Sequence, residues 1–551
     1  MVRTTIDVGV VMRDGVRLSA DVYLPDGVGP FPSILYRTPY DNSDWTADKA
    51  RGFAGHGYAT VVQDVRGRMD SQGEFYPFRN EGADGADTLS WMAAQPWCDG
   101  RIGMTGGSYL GYVQWAVAAV GHPNLRCLSP HVASWNRGRG SIYAGGALQL
   151  GFAATWGLQV SGRGLQRLDG VHWREVLRRV PLLDVGSIAE RFSAWEDWLT
   201  HGPEDPYWDE FDLSVHASEA TLPALLIGGW YDIYASQTIE AFSALRTMGR
   251  DEADATRAII GPWHHLYSQS PAVGDLDFGP ASVIDVEAEE RRWFDRWLRR
   301  TDEVDGCAPL RIFVMGANRW RDEQSWPLER TDWQQWYLSS GGSAATANGD
   351  GRLLPTSPRS DEPVDRFTFD PAFPVQTTGG STCCYPAVIA MGPYDQRDVE
   401  MRTDVLCYTS DPLDADLEVT GPVRLILYAA TDGQDTDWTG KLVDVWPTGY
   451  AQNIVDGIIR ARYRDGLAAP KPCEPGVVHR YDIDLGVTSQ LFRRGHRIRL
   501  EVSSSNFPRF DINPNTGGGA TSTASLRIAR QTVHHDAMRR SHLLLPVVPG
   551  G

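Results

Sequence analysis

Residues 2–24 alternate polar and apolar side chains around the turn Arg13-Asp14-Gly15, which predicts a β-hairpin at the start of the chain. The apolar run Phe31-Pro32-Ser33-Ile34-Leu35-Tyr36 reads as a strand that runs out into the loop Arg37-Thr38-Pro39-Tyr40-Asp41. A helical turn closes over Phe53 to Gly57. It is followed by the β-branched run Tyr58 to Val65, a buried strand that leaves into Arg66-Gly67-Arg68. After the polar loop containing Ser71-Gln72-Gly73, Asp84 to Ala94 has the spacing of an amphipathic helix. The next segment, Gly103-Met104-Thr105-Gly106-Gly107-Ser108-Tyr109-Leu110-Gly111, joins an apolar run to a helix over Gly111 to Val120. Strand, helix, strand, turn and helix in this rhythm predict an α/β fold with a parallel sheet.

The rhythm changes between Asn136 and Leu213. Ala147 to Leu158, His172 to Val180 and Ile188 to Leu199 have helical spacing and no buried strand intervenes, as in a cap inserted over a site. Sheet patterning resumes at Ala224-Leu225-Leu226-Ile227-Gly228-Gly229, which leads into Trp230-Tyr231-Asp232 and a helix from Ser236 to Met248. Ala258-Ile259-Ile260 is a further strand, ending in Gly261-Pro262-Trp263-His264-His265. Val283 to Arg300 is a strongly amphipathic helix with Val286, Trp293, Phe294, Trp297 and Leu298 on one face. Beyond Gln334 the helical period is lost. Short β-type runs take over, at Leu417–Thr420, Val423–Tyr428, Ile458–Tyr463, Arg480–Leu485, Arg497–Ser503 and Ala524–Arg530, as in a β-sandwich or jelly roll. The stretch from Gly341 to Pro371, rich in Pro, Ser, Gly and Asp, is expected to wrap the surface as a loop. The expected organisation is an α/β core in two parts (1–135 and 214–333), a helical cap (136–213) and a β-sandwich (334–551).

Composition adds limits. A chain of 551 residues exceeds one core, and its 42% hydrophobic content with 20 Trp supplies several. A net charge of −18 argues against a nucleic-acid partner. No apolar run approaches the roughly 18 residues of a membrane-spanning helix, and the start of the chain lacks the apolar segment of a signal peptide. The 7 cysteines include the adjacent pair Cys383-Cys384 and no C-x-x-C. Reduced, mostly buried thiols in a cytoplasmic protein are the expectation. Oligomeric state is left open, a homodimer included.

Three polar groups fall where parallel strands end: Ser108, Asp232 and His265. A serine at a glycine-flanked strand-to-helix turn is the nucleophile elbow of serine hydrolases, although G-x-S-x-G would place at position 110 the glycine that occurs here at Gly111. A serine hydroxyl needs a base in hydrogen-bond reach, histidine has a suitable pKa, and a carboxylate fixes its tautomer. The order serine, acid, histidine is that of α/β-hydrolases. Asp232 could instead cap the helix that follows, and His264 competes with its neighbour His265. No H-E-x-x-H or comparable metal cluster is present, and Asp432, Asp435 and Asp437 lack EF-hand spacing, so a turn capped by aspartates is expected there and no cofactor is implied.

Taken in order, Arg37-Thr38-Pro39-Tyr40, Gln63-Asp64-Val65-Arg66-Gly67, Gly106-Gly107-Ser108-Tyr109-Leu110-Gly111, Gly229-Trp230-Tyr231-Asp232 and Gly261-Pro262-Trp263-His264-His265 resemble the cocaine esterase/X-prolyl dipeptidyl-peptidase family of serine hydrolases, the cocaine esterase branch in particular. The resemblance continues through Asp435-Thr436-Asp437-Trp438, Lys441-Leu442-Val443-Asp444-Val445 and Ser503-Ser504-Ser505-Asn506-Phe507-Pro508-Arg509, and it covers nearly the whole chain. It implies an α/β-hydrolase domain with an inserted helical cap and a C-terminal jelly roll. Ser108 takes the place of the nucleophile, Asp232 of the acid and His265 of the base. The hydroxyl of Tyr40 and the backbone N–H of Tyr109 become the oxyanion donors. The family's G-x-S-Y-x-G form accounts for Gly111. Trp156 and Tyr234 match acyl-pocket positions, whereas Ser141 stands where the cocaine esterase branch has a tryptophan, which removes the support for a benzoyl-ester preference.

The implied activity is hydrolysis of a small carboxylic ester or amide through an acyl-serine. An amidase or dipeptidyl-peptidase would need an acidic pair in the cap, for which Glu190, Glu196 and Asp197 are candidates. A natural-product acyltransferase and a non-catalytic binding protein on the same scaffold are the other readings.

Overall fold

Why Ser108, Asp232 and His265 can meet is visible in the sheet that carries them. The structure, a computed structural model, describes every residue except 186, 187, 189, 217–221, 248–255, 267–269, 302–306, 359, 360, 520, 522–524 and 551. The first sheet contains β1 (Arg3–Val11), β2 (Arg17–Leu24), β3 (Phe31–Thr38), β4 (Ala59–Asp64), β5 (Cys98–Gly107), β6 (Leu125–His131), β7 (Leu225–Tyr231), β8 (Arg257–His264), β9 (Leu310–Val314) and β10 (Arg319–Glu323), in the order β1-β2-β4-β3-β5-β6-β7-β8-β9-β10. From β4 to β9 every pairing is parallel, and antiparallel pairs close both edges. The inner strands β4 and β7 are buried at every residue, because helices cover both faces of a parallel sheet.

The helices of this part are α1 (Trp45–Gly55), α2 (Glu81–Ala93), α3 (Tyr109–Val120), α4 (Leu150–Gln159), α5 (Trp173–Leu177), α6 (Trp195–Thr200), α7 (Ala235–Thr247) and α8 (Val286–Arg299). Helix α8 shows sequence control at both ends. Asp285 caps it by accepting from the Ala288 N–H at 3.0 Å, arginines occupy its last turn, and Arg300 ends it in the left-handed region at φ 63°. Its apolar face carries Phe294 beneath Gly103 of β5, so it packs directly under the elbow strand.

Eleven strands between Asp332 and Val548 form the second, largely antiparallel sheet, a β-sandwich as expected. One continuous apolar cluster contains Tyr231 and Ile260 from the first part together with Val455 and Leu485 from the second. No helix among the described residues is long and apolar enough to cross a membrane.

Several local expectations change. The cap helices are short, and Tyr143–Ala144 pairs with Ala147–Leu148 as a small hairpin where helix was expected. The runs expected at Leu417–Thr420 and Val423–Tyr428 are one strand, Leu417–Thr431, crossing Gly421-Pro422. Pro422 sits opposite Val487 in the ladder to the strand His479–Phe492, while on its other side the ladder to the strand His542–Val548 is interrupted between Val419 and Arg424. The stretch 341–371 is not all loop, since it holds the strands Arg352–Leu354 and Asp365–Phe369. Asp435 accepts from the Arg462 backbone N–H at 2.9 Å in the turn Ala461–Tyr463, but the main role of Asp435 and Asp437 is in ion pairs. They are buried against Arg462 and Arg460. The ends expected at Met248 and Ala524 lie outside the described residues.

Candidate active site

Ser108 occupies the turn between β5 and α3 at φ 59°, ψ −117°, a conformation non-glycine residues rarely adopt. Two glycines make the turn sterically feasible. A Cβ at Gly106, which has φ +128°, would lie 2.5 Å from Leu110 Cβ. A Cβ at Gly111 would fall on the Cβ of Ala133, where α3 crosses the chain leaving β6. That crossing explains why this elbow needs its second glycine three residues after the serine. Gln114, one turn further on, braces the elbow by donating to the Gly106 carbonyl at 3.1 Å and accepting from the Ser129 N–H at 2.9 Å.

Asp232 follows β7 and His265 follows β8, two neighbouring parallel strands whose carboxyl ends face the elbow. His265 Nδ1 lies 2.7 Å from Asp232 Oδ1, and its Nε2 lies 3.0 Å from Ser108 Oγ. The imidazole and the carboxylate are 5% and 1% exposed, so their pairing takes place out of bulk water. Asp232 is not the side-chain cap of α7. Only its carbonyl contacts that helix, accepting from the Ala235 N–H at 3.1 Å. His264 is turned away, its Nδ1 accepting from the Leu266 N–H at 3.1 Å, and burial together with the neighbouring His265 lowers its pKa. A serine, an imidazole and a carboxylate joined in this way can pass a proton from the hydroxyl to the ring.

Tyr40 closes the other side of Ser108. Its hydroxyl accepts from the Trp156 indole N–H at 2.9 Å, and Tyr40 lines the same cavity wall as Ser108. Burial pushes its pKa up to about 12, partly offset by the Trp156 hydrogen bond, so the phenol stays a neutral donor over the working pH range. The Tyr109 N–H opens α3 beside the serine. Its side chain is anchored beneath, donating to Glu81 Oε1 at 2.6 Å and accepting from the Phe78 N–H at 2.9 Å, while Glu81 Oε2 accepts from the buried Arg37 at 2.7 Å. Sequence reasoning missed this Arg37–Glu81–Tyr109 support. The polar residues that form it lie far apart in the chain.

Trp156 stacks on Phe78 at 5.5 Å and on Trp198 at 6.0 Å, between the core and the cap. Tyr234 stands edge-on to His265 with centroids 5.5 Å apart, and its hydroxyl meets Arg137 at 3.3 Å and Ser141 at 3.4 Å. A cavity of about 530 Å³ opens onto Ser108 and His265, walled by Tyr40, Trp156, Leu165 and Cys384 and charged at its margin by Asp44, Lys49 and Glu287. Cys384 comes from the second sheet's part of the chain. It corrects the expectation of reduced thiols, because Cys383 and Cys384 form a disulfide, while Cys98, Cys127, Cys407 and Cys473 are free and buried. The only signal in the sequence was the adjacency of the two cysteines.

The acidic candidates for an ammonium site are not gathered here. Glu190 and Glu196 are exposed, and Asp197 accepts from the Tyr76 hydroxyl at 2.5 Å.

Residues 14–267 match the family described as X-Pro dipeptidyl-peptidase (S15 family), and residues 302–544 match the X-Pro dipeptidyl-peptidase C-terminal non-catalytic domain. Cocaine esterase of Rhodococcus sp. (strain MB1 Bresler) is 38% identical over 572 residues, covering 98% of this chain and 98% of that protein. Among solved structures, an aminopeptidase from the marine sediment archaeon Thaumarchaeota archaeon has a TM-score of 0.86 at 26% identity, with 99% of this chain and 96% of that one covered. An α-amino acid ester hydrolase has a TM-score of 0.82 at 25% identity, with the same coverage of 99% and 96%. By its glycine-braced serine turn, its two-part architecture and these likenesses, the chain belongs to the cocaine esterase and X-Pro dipeptidyl-peptidase (S15) family and is one of its serine hydrolases.

Proposed function

We propose that the protein hydrolyses carboxylic esters of small molecules through an acyl-Ser108 intermediate. The observation that carries this reading is the unbroken chain from Ser108 Oγ to His265 Nε2 at 3.0 Å and from His265 Nδ1 to Asp232 at 2.7 Å, set in the wall of the cavity. His265 takes the Ser108 proton as Oγ attacks the ester carbonyl, and Asp232 stabilises the imidazolium. The Tyr40 hydroxyl and the Tyr109 N–H hold the oxyanion of the tetrahedral intermediate. His265 then protonates the departing alkoxide, and in the second half it activates water against the acyl-serine.

Esters are preferred to free-amine peptides because Glu190, Glu196 and Asp197 do not assemble an ammonium site. Cocaine esterase, 38% identical, supports the same choice. Acyl selectivity rests on Trp156, which walls the cavity, whereas Tyr234 and Ser141 are buried against each other with their hydroxyls 3.4 Å apart and do not line it.

The test is covalent labelling with a fluorophosphonate, combined with kcat/KM across a panel of acyl chains and leaving groups. Labelling that disappears in Ser108→Ala, with ester turnover far above that of a dipeptide amide, is the expected result. Folded protein that resists the fluorophosphonate would overturn the reading, as would faster cleavage of the amide.

A further inference from the structure

Among the described residues, His265, Cys383 and Cys384 bring one ligand atom each to within 4.8 Å of one another. The two cysteines are held there by the fold. Thr382 forms a parallel β-bridge with Asp232, and Ser381 Oγ donates to the Trp230 carbonyl at 3.3 Å, so the cysteine segment is docked on the acid-bearing loop. Cys384 lines the cavity, within reach of a small solute, while Cys383 is 3% exposed behind it. The imidazole is already prepared as a metal ligand. Asp232 holds its Nδ1 at 2.7 Å, the carboxylate-to-histidine support that fixes a ligating ring, which leaves Nε2, 3.0 Å from Ser108 Oγ, as the nitrogen a metal would have to take. Two thiolates, an imidazole nitrogen and a water are a tetrahedral ligand set suited to zinc.

We propose that Cys383, Cys384 and His265 form a site for a thiophilic divalent cation that exists only when the Cys383–Cys384 disulfide is reduced, and that filling it removes His265 from catalysis. A tertiary phosphine with one water cleaves the S–S bond, giving two thiols and the phosphine oxide. The cation then forms two metal–thiolate bonds, releasing two protons to buffer, and a third bond to the Nε2 lone pair. That lone pair is the one that would take the Ser108 proton, so metal binding and acyl transfer compete for a single atom. The oxidised protein has no thiolates to offer and keeps His265 free. The inhibitory part rests on His265 being the base. The ligation part does not.

The experiment uses the full chain carrying Cys307→Ser, which removes the exposed free thiol. The protein is treated with tris(2-carboxyethyl)phosphine, desalted without oxygen, and compared with its untreated and reoxidised forms. Two additional thiols should titrate in the reduced folded protein. Co(II) should then give a thiolate-to-cobalt charge-transfer band, and one equivalent of Zn(II) should bind and lower ester turnover more than about tenfold, with recovery on chelation. Reoxidised protein, a folded control in itself, and Cys383→Ser/Cys384→Ser should each keep their own zinc-free rate at that zinc concentration. The proposal fails if the thiol count does not rise, if no charge-transfer band forms, or if the serine variant or reoxidised protein is inhibited to the same degree. A band with no ester activity in any form would preserve the metal site and remove only the esterase reading.

Discussion

Deleting the Tyr40 hydroxyl separates two effects that share one oxygen. In Tyr40→Phe the ring keeps its place, and two interactions are lost. The first is the proposed donor to the oxyanion, an interaction made only in the transition state. Removal of one such donor costs about 3 kcal/mol, or about two to three decades in kcat, with little change in KM. The second belongs to the ground state. The Trp156 indole N–H, which donates to that oxygen at 2.9 Å from a side chain only 3% exposed, is left without a partner. A buried orphan donor costs about 1–3 kcal/mol of stability. Replacing Trp156 by Phe in the same protein removes the orphan donor, so the double variant should recover part of the donor penalty while losing packing area, and its kcat should stay at the level of Tyr40→Phe. Single-substrate kinetics on a 4-nitrophenyl ester and urea unfolding of the wild type, both single variants and the double variant complete the cycle. A kcat within about threefold of wild type in Tyr40→Phe would remove the phenol from the mechanism. Recovery of kcat in the double variant would assign the loss to a displaced indole and not to a missing oxyanion donor.

Asp232→Asn should lower kcat by about four decades, since an amide favours the wrong imidazole tautomer; a loss below about tenfold, with folding intact, would mean that another group orients His265. Gly111→Ala should lose about 1–3 kcal/mol in thermal or urea unfolding because its Cβ would fall on that of Ala133, and an unchanged transition would refute the steric account of the late glycine. Asp64 is held up to about 8 by burial and by Asp41, against an unfolded value near 3.8, so the folded state keeps its proton after the unfolded state has lost it. The resulting stability is complete below about pH 4 and is lost as pH rises to about 8, up to about 6 kcal/mol at about 1.4 kcal/mol per unit. Asp64→Asn, which can still accept from the Asn42 N–H, should therefore gain on wild type between pH 5 and 8 in urea titrations, and parallel pH profiles would contradict the assignment.

The parallel core was legible because strands covered on both faces are uninterrupted apolar runs: β4 and β7 were recognised within a residue or two, whereas β8 continues four residues past the expected end at Ile260, to His264. The reading failed where a buried charge broke the pattern. Asp365–Phe369 alternates buried and exposed positions, yet its first inward residue is an aspartate, made tolerable by Tyr408 at 2.8 Å and His535 at 2.9 Å. Apolar periodicity alone could not separate it from loop. In the cap, apolar positions at helical spacing did not ensure length. Helix α5 runs only from Trp173 to Leu177, Leu177 is its one buried residue, and the chain on either side of it is largely exposed.

Ser108, Asp232 and His265 could be picked out because each ends a strand in its own local motif. The surrounding contacts have no local motif. Tyr40 meets Trp156 across 116 positions of sequence, and only the family resemblance pointed to either. The part contributed by the second domain left less trace still, although its contacts bear directly on the acid. Trp230, Tyr231 and Asp232 are consecutive, and each is tied to that domain: the Trp230 carbonyl accepts from Ser381, the Tyr231 hydroxyl donates to the Asn453 carbonyl at 2.9 Å, and the Asp232 backbone bridges to Thr382. The loop that orients His265 therefore cannot shift without breaking contacts in the matching region described as non-catalytic. A carboxylate that must hold an imidazole to a fraction of an ångström is best carried by backbone fixed on both sides. Here the parallel sheet fixes one side and the β-sandwich the other. The same docking that fixes Asp232 sets Cys383 and Cys384 against His265, which is why the proposed reduction of that disulfide would act on the imidazole proposed as the base.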